Sequence, residues 1–313
     1  MKTFLADLLV CPDCAGRERP LCLTAHDARH GDVVSGRLDC AGCGGRHLIQ
    51  DGVAQVLPRS AESAPPSQRR YDTASALSSY LWAHYGDLAG LPGAGTLFRT
   101  LAPSIQGGRG PLLDAGAAVG RMVFETAGRA SPAVGLDLSP ALVRAARTLL
   151  TEGELTFDLV TEGRITETVR IEAPAHWAGL DADFLVADAQ ALPFASSVFG
   201  SVCSLNLLDK IPQPLDHLRE LDRVAKAESA ELLIADPFSW SEDAAEPGRW
   251  LGGRNNGPFA GRGSDNVRRL LCEEGELPGP AWTTPATGAA EWTLRTHANH
   301  REVITSQYLH ARR

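Results

Sequence analysis

The chain has 313 residues, of which 43% are hydrophobic and 22% are charged, and its net charge is −8. This composition excludes disordered, collagen-like and coiled-coil proteins, and the length suits a large α/β domain with or without a small one. Residues 1–60 carry equal numbers of basic and acidic side chains, so the negative charge lies in the rest of the chain. Because nucleic-acid binders usually present a basic face, this balance disfavours a nucleic-acid partner.

The first residues bear on where the protein works. No run approaches the roughly 18 apolar residues that span a bilayer, so no membrane partner is predicted. Asp7 interrupts a short apolar stretch and no small-residue cleavage site follows, so we expect no secretory signal and a cytoplasmic protein. In that compartment the seven cysteines favour metal binding or catalysis over disulfides.

Two Cys-x-x-Cys pairs mark the first unit of the chain, Cys11 with Cys14 and Cys40 with Cys43. Tight turns of this kind aim two thiolates at one point, so the four cysteines predict a closed, tetrahedral and structural Zn²⁺ site. The alternative is that some of them are buried as small apolar side chains. Cys22 and His47 are weaker ligand candidates than the four.

The sequence around these pairs resembles the small zinc-ribbon activator proteins that partner tRNA and protein methyltransferases. The similar stretches are Leu8–Cys14, the second cysteine pair, Leu48–Val53 and Val56–Pro58. This resemblance implies a zinc-ribbon domain at residues 1–58 that docks a protein partner or adds stability. The polar residues 59–70, which contain two adjacent prolines, are predicted to form a linker.

The remainder, residues 71–313, is predicted to be an α/β domain that opens with lid helices within residues 71–103. Five apolar strands follow, ending near Asp114, Asp137, Ala187, Leu205 and Asp236, with helical segments between them. Such alternation predicts a doubly wound, mostly parallel sheet whose ligands lie beyond the carboxyl ends of the strands. Alternating residues on both sides of a glycine-containing turn predict a hairpin insertion at residues 154–172, as a substrate wall or as decoration.

A glycine-containing turn follows Asp114, and Asp137 ends the next strand 23 positions later. This is the spacing at which α/β nucleotide-binding folds place a carboxylate on the ribose hydroxyls. A dehydrogenase is the main rival interpretation. It would prefer an intact Gly-x-Gly-x-x-Gly, whereas Ala118 replaces the middle glycine here.

The succession of strand ends resembles the class I S-adenosylmethionine-dependent methyltransferases. The similar stretches are LLDAGAAVG at 112–120, VGLDLS at 134–139, VADAQALPF at 186–194 and VFGSVCSLNLLDKI at 198–211. The resemblance implies a seven-stranded, mostly parallel sheet of Rossmann-like type and S-adenosyl-L-methionine as the cofactor.

The same resemblance implies which residues bind that cofactor. Asp114 and the backbone of Gly116 and Ala117, in the turn that ends at Gly120, would hold the methionine moiety. Asp137 would accept both ribose hydroxyls, and Leu138 would face the adenine. Asp188 would take the adenine amino group with Ala189 beside it, and Asn206 would lie near the sulfonium and the substrate.

Shorter islands across residues 71–313 resemble the methyltransferase domain of ovothiol synthase, the 4-mercaptohistidine N-methyltransferases. They include Tyr80–Gly86, Asp236–Trp240, Trp250–Gly253 and Leu294–His297. This resemblance implies histidine methylation, at the imidazole of a histidine-derived small molecule or a histidine-containing peptide. The candidates for orienting that substrate are Tyr80, His84, Tyr85, Asn206, Arg295 and His297.

Methylation of an imidazole acceptor requires little acid–base catalysis by the protein. With a pKa near 6.5, an imidazole has a free lone pair at neutral pH, so alignment rather than a strong base is required. Three alternatives stay open from the sequence: a natural-product O- or C-methyltransferase, an RNA methyltransferase, and a catalytically silent methyltransferase-like scaffold whose ribbon docks a partner.

Overall fold

The computed structural model describes residues 1–14, 16–60, 71–273, 275–283 and 286–313. Apart from residues 59 and 60, the linker predicted at 59–70 lies outside these ranges, and the domain boundaries stay predictions. Within the described residues, no helix is both long enough and apolar enough to cross a bilayer.

The amino-terminal part is a short helix followed by an antiparallel meander. Its elements are α1 (Thr3–Leu8), β1 (Leu21–Arg29), β2 (Asp32–Cys40), β3 (Arg46–Gln50) and β4 (Val53–Val56). Two helices follow where lid helices were predicted, α2 (Ala74–Tyr85) and α3 (Thr96–Leu101).

The rest of the chain alternates strands and helices and ends in a long hairpin. Its elements are β5 (Leu112–Ala115), α4 (Arg121–Thr126), β6 (Ala133–Asp137), α5 (Pro140–Glu152), β7 (Glu154–Glu162), β8 (Ile165–Glu172), β9 (Ala182–Ala187), β10 (Ser201–Leu205), α6 (Pro214–Val224), β11 (Glu231–Asp236), α7 (Gly263–Cys272), β12 (Ala286–His297) and β13 (His300–Arg312). Strands β7 and β8 pair as the predicted hairpin.

One sheet of eleven strands runs through the molecule in the order β1-β2-β3-β4-β9-β6-β5-β10-β11-β13-β12. The prediction of seven strands is therefore wrong in number. The α/β part does supply seven, of which β9, β6, β5, β10 and β11 are parallel. The amino-terminal meander supplies the other four, because β4 pairs in parallel with β9, which would otherwise be an edge strand.

Buried polar contacts reinforce this junction. The Arg147 guanidinium on α5 pairs with the fully buried Asp183 of β9 and, at 2.8 Å, with Asp32 of the meander. The backbone N–H of Lys2 donates to Asp183 at 2.6 Å. Since an unpaired buried carboxylate would be strongly unfavourable, these bonds tie the meander to the α/β part.

Apolar side chains fill both faces of the sheet. One core packs α1, α6 and α7 against it, and the other packs α2 to α5 and the β7–β8 hairpin. Local signals place the helices. For example, α5 begins at Pro140 after Ser139, whose Oγ accepts the Leu142 N–H, and it ends at Gly153 with a φ of 73°. The helices thus cover both faces and leave the carboxyl ends of the parallel strands open, where ligands bind in such sheets.

Candidate active site

A cleft lies at the carboxyl ends of the parallel strands, with α2 and α3 on one side. Its volume is about 970 Å³, including the part open to solvent. It is lined by Tyr71, Tyr80, His84, Leu97, Phe98, Asp114, Gly116, Ala117, Ala118, Leu136, Asp137, Leu138, Ser139, Leu142, Ala187, Asp188, Ala189, Gln190, Leu205, Asn206, Leu207, Lys210, Ile211 and Trp292. The ends of β5, β6, β9 and β10 therefore meet in one concave site.

Asp137, at the end of β6, is held by two backbone donors. The N–H of Ser139 donates to Oδ1 at 2.9 Å, and that of Ala118 donates to Oδ2 at 3.0 Å. Burial raises the pKa of this carboxyl to about 6 in spite of these bonds. A carboxylate oxygen accepts more than one hydrogen bond, so both oxygens remain able to accept hydroxyl groups of a ligand.

Asp114, at the end of β5, is the most deeply placed carboxyl of the cleft. Its side chain is buried, and its Oδ1 has no hydrogen-bond partner among the described residues. Burial, followed by the charge of Asp137, raises its pKa to about 8. A buried carboxylate without a partner is unfavourable unless a cation or donor meets it, so this position fits a positively charged ligand.

The loop after β9 is fixed from beneath by α6. The backbone N–H of Gln190 donates to Asp188 Oδ1 at 2.9 Å, and the side-chain Oε1 of Gln190 accepts the N–H of Gln213 at 2.9 Å. The buried His217 donates from Nδ1 to the Ala189 carbonyl and accepts from Ser204, both at 2.9 Å. Burial lowers the pKa of His217, so it acts as a neutral bridge.

The turn between β5 and α4 approaches neighbouring groups closely. Gly116 has a φ of 84°, and a Cβ there would lie 2.7 Å from Leu207. Ala118 adopts a left-handed φ of 49° where many turns of this kind have glycine, and its N–H donates to Asp137. The N–H groups of Gly116 and Ala117 both bond the Leu136 carbonyl, at 2.9 and 2.8 Å. Gly120 starts α4 and does not line the cleft.

Asn206 follows β10 at the opposite side of the cleft from Asp137. It has a left-handed φ of 55°, and its N–H donates to the Ala235 carbonyl at 2.7 Å. Its side-chain Oδ1 accepts a hydrogen bond from Ser306 of β13. These contacts fix the amide, whose NH2 group is left to donate.

Aromatic side chains from α2, α3 and β12 form one wall of the cleft. The Tyr80 ring lies 5.9 Å from Tyr71 and 5.7 Å from Trp292, between ring centres. His84 packs 4.4 Å from Phe98, and its buried Nδ1 has no partner among the described residues. Burial and the Arg121 charge lower the His84 pKa to about 3, so its ring is neutral. This wall suits a flat ligand.

Three substrate-orienting candidates do not line the cleft. Tyr85 is fully buried, and its hydroxyl donates to the Val119 carbonyl. Arg295 reaches Glu167 of the β7–β8 hairpin at 3.4 Å, and His297 stacks on His300 near the β12–β13 turn. These three side chains therefore lie outside the cleft lining, because helix and strand periodicity turns them away from Tyr80 and Trp292.

The cleft also contains residues that the sequence analysis did not name as a site. Tyr71, Phe98, Gln190, Lys210 and Trp292 all line it. Lys210 lies within a stretch already noted for its resemblance, so its position after β10 was a usable signal. The sequence contained no signal for Trp292, since the position of β12 near the cleft follows from the order of strands in the sheet.

The four cysteines of the two Cys-x-x-Cys pairs come together in the meander. The sulfur atoms of Cys11, Cys14, Cys40 and Cys43 all lie within 4.8 Å of one another, and the pairs 11–43 and 14–40 are 3.5 and 3.6 Å apart. A tetrahedral site with Zn–S bonds of about 2.3 Å requires sulfur separations of about 3.8 Å. Four thiols at these separations therefore fit a Zn²⁺ ion with no open position.

Comparison with known families matches residues 113–230 to a family described as "Methyltransferase domain". No curated protein matches the chain.

Solved structures with a similar fold include a protein studied for conversion of a disulfide bond into a thioacetal group during echinomycin biosynthesis (20% identity, TM-score 0.47, 79% of this chain and 91% of that one). A second is a complex between the Haloferax volcanii Trm112 methyltransferase activator and a methyltransferase. Its identity is 19% and its TM-score is 0.36, and the match covers 55% of this chain and 60% of that one. A third is Haemonchus contortus phosphoethanolamine N-methyltransferase 2 with phosphomonomethylethanolamine and S-adenosylhomocysteine. Its identity is 17% and its TM-score is 0.39, and the match covers 54% of this chain and 34% of that one.

Proposed function

We propose that the protein is an S-adenosylmethionine-dependent methyltransferase, in keeping with the match of residues 113–230 to a methyltransferase domain, and that it methylates an imidazole nitrogen. The acceptor would be a histidine-derived small molecule or a histidine-containing peptide. One observation carries the proposal: the cleft brings the three strand-end carboxyls Asp114, Asp137 and Asp188 together with a wall of aromatic rings. That wall offers a place for a flat acceptor ring without a strong base beside it.

The chain's own residues fit S-adenosyl-L-methionine, which supplies an electrophilic methyl group on its sulfonium. Asp137 would accept the ribose hydroxyls, since its oxygens are already aimed by two backbone donors. Asp188 would accept the adenine amino group, on a loop that α6 holds in place. Asp114 would bind the ammonium group of the cofactor's methionine moiety, which would give its Oδ1 a hydrogen-bond donor.

On the acceptor side, Tyr80, His84 and Asn206 would align the imidazole for in-line displacement. A neutral imidazole already has a lone pair, so alignment and exclusion of water supply most of the acceleration. His84 is neutral at physiological pH, so it would hold a ring tautomer through a hydrogen bond rather than remove a proton as a strong base.

We also propose that the four cysteines bind one structural Zn²⁺ ion. The ion would hold the two turns together, and because the site is closed it would take no part in the chemistry. In this chain β4 already pairs with β9, so the ribbon would support its own methyltransferase domain, and docking of another protein would use a different face.

A mass-shift screen tests the methyl acceptor. The protein is incubated with S-adenosyl-L-methionine and a panel containing histidine, its thiol derivatives, histidine peptides, hydroxyl and carboxylate compounds, and RNA. We expect a mass gain of one CH2 group on an imidazole compound, and no gain with Asp137→Ala. Asp216→Ala, an exposed carboxylate on α6, is the matched control and should behave as the wild type.

Each alternative has its own outcome in that screen. Success on a hydroxyl or carboxylate compound alone would overturn the imidazole proposal in favour of an O-methyltransferase. Methylation of RNA, with salt-dependent binding, would support the nucleic-acid alternative. If calorimetry detects no binding of S-adenosyl-L-methionine, the result would support the catalytically silent scaffold.

A further inference from the structure

The cleft contains a basic group whose role the cofactor does not explain. Among the described residues that line the cleft, Lys210 is the one lysine or arginine. It lies in the loop after β10, four residues beyond Asn206, and its side chain is 30% exposed. The proposed cofactor gives a role to the lining carboxyls, whereas it gives none to the basic side chain of Lys210.

The Lys210 ammonium is held in place by two loops. Its Nζ donates to Asp209 Oδ2 at 3.0 Å and to Ser239 Oγ at 2.9 Å. The same Oδ2 accepts the N–H of Ser239 at 2.7 Å and its hydroxyl at 2.6 Å. An ammonium has three donors, so these two bonds leave a third N–H for a ligand.

Two acidic residues, Asp209 and Asp236, lie behind the Lys210 ammonium. The Asp209 side chain is fully buried and faces Asp236 at the end of β11, whose Oδ2 accepts the Asp209 N–H at 3.2 Å. Burial and the charge of Asp209 raise the pKa of Asp236 well above its usual range, so Asp236 is neutral. The Lys210 ammonium is therefore positioned by a buried side chain and not by a flexible surface contact.

We propose that Lys210, positioned by Asp209 and Ser239, binds a carboxylate of the methyl acceptor. This inference rests on the proposed methyltransferase function and narrows it: the acceptor would combine a flat ring, packed on the aromatic wall, with a carboxylate. Fixed ammonium–carboxylate contacts are charge-assisted and stronger than neutral hydrogen bonds. The methionine end of the cofactor also carries a carboxylate, so the test separates the two sources.

The test compares amino acids with their decarboxylated amines. Binding of histidine and histamine, tyrosine and tyramine, and tryptophan and tryptamine is measured by calorimetry on the protein loaded with S-adenosylhomocysteine. We expect the wild type to prefer the acid of at least one pair by about tenfold or more. Lys210→Gln, which can still donate to Asp209, should abolish that preference, and Lys210→Arg should keep most of it.

Affinity for S-adenosylhomocysteine itself is measured on the same variants. An unchanged affinity in Lys210→Gln, together with the lost acid preference, supports the acceptor subsite. A loss of S-adenosylhomocysteine affinity with the acid preference intact would assign Lys210 to the cofactor and overturn the proposal, as would no acid preference in any pair. A preference for tyrosine or tryptophan with histidine inert would instead overturn the imidazole proposal and keep the Lys210 subsite.

Discussion

At the scale of single residues, burial sets the charge of the carboxyls on which cofactor binding depends. Asp114 has no hydrogen-bond partner at Oδ1, and its pKa is raised to about 8. Asp137, with two backbone donors, is raised only to about 6. Near neutral pH the free protein therefore holds a proton on Asp114, and Asp137 is largely ionised.

Binding of S-adenosyl-L-methionine should consequently depend on pH. A positively charged ligand favours the ionised form of Asp114, so that carboxyl must release its proton below pH about 8 for the ligand to bind well. We expect the affinity to rise from pH about 6 to about 8 and to level off above that. Calorimetry at several pH values, in buffers of different ionisation enthalpy, measures both the affinity and the released proton.

The control for this pH dependence is Asp114→Asn, which cannot ionise. It should bind the cofactor more weakly, and most of the dependence between these pH values should disappear. A wild-type affinity that stays flat over the same range would contradict the assignment of Asp114 to the positively charged part of the ligand.

At the scale of elements, helix α2 serves both the cleft and the core. Tyr80 and His84 are four positions apart, so they lie on one side of the helix, and both line the cleft. Tyr85 is five positions from Tyr80, about 140° further around the helix. It therefore packs inward, where its hydroxyl bonds Val119 in the turn before α4.

Two matched substitutions on α2 should separate these roles. Tyr85→Phe removes the partner of the buried Val119 carbonyl, so we expect a loss of about 1–3 kcal/mol in the free energy of unfolding. Its KM for the acceptor should stay close to that of the wild type. Tyr80→Phe should alter the KM for the acceptor. Denaturant unfolding and steady-state kinetics measure the two effects, and the reverse assignment of effects would refute this division of the helix.

At the scale of the whole molecule, the cysteine-containing meander is part of the main sheet. Its last strand, β4, extends the parallel strands at β9, and Arg147 bonds both parts. Strands that share hydrogen bonds and buried ion pairs are expected to unfold together. The meander should therefore stabilise the α/β part directly.

Removal of Zn²⁺ tests this coupling. We expect about one Zn²⁺ per chain by elemental mass spectrometry, for a site of four thiolates. Chelation, or Cys40→Ser, should lower the Tm of a single unfolding transition and weaken cofactor binding with it. Cys22→Ser, an exposed cysteine outside the cluster, should change neither. Two separate transitions, of which only one responds to metal removal, would show instead that the meander folds independently.

The sequence by itself determined the elements and the chemistry that depends on local spacing. Strand β6 ends at Asp137 and strand β11 ends at Asp236 as predicted, because apolar runs are local signals. The paired cysteines and the acidic strand ends were readable for the same reason. Tertiary structure alone decided which long-range neighbours meet: β4 beside β9, Trp292 opposite Tyr80, and Lys210 held by Ser239. Such contacts depend on sheet order and on packing between distant segments, which no short stretch of sequence encodes.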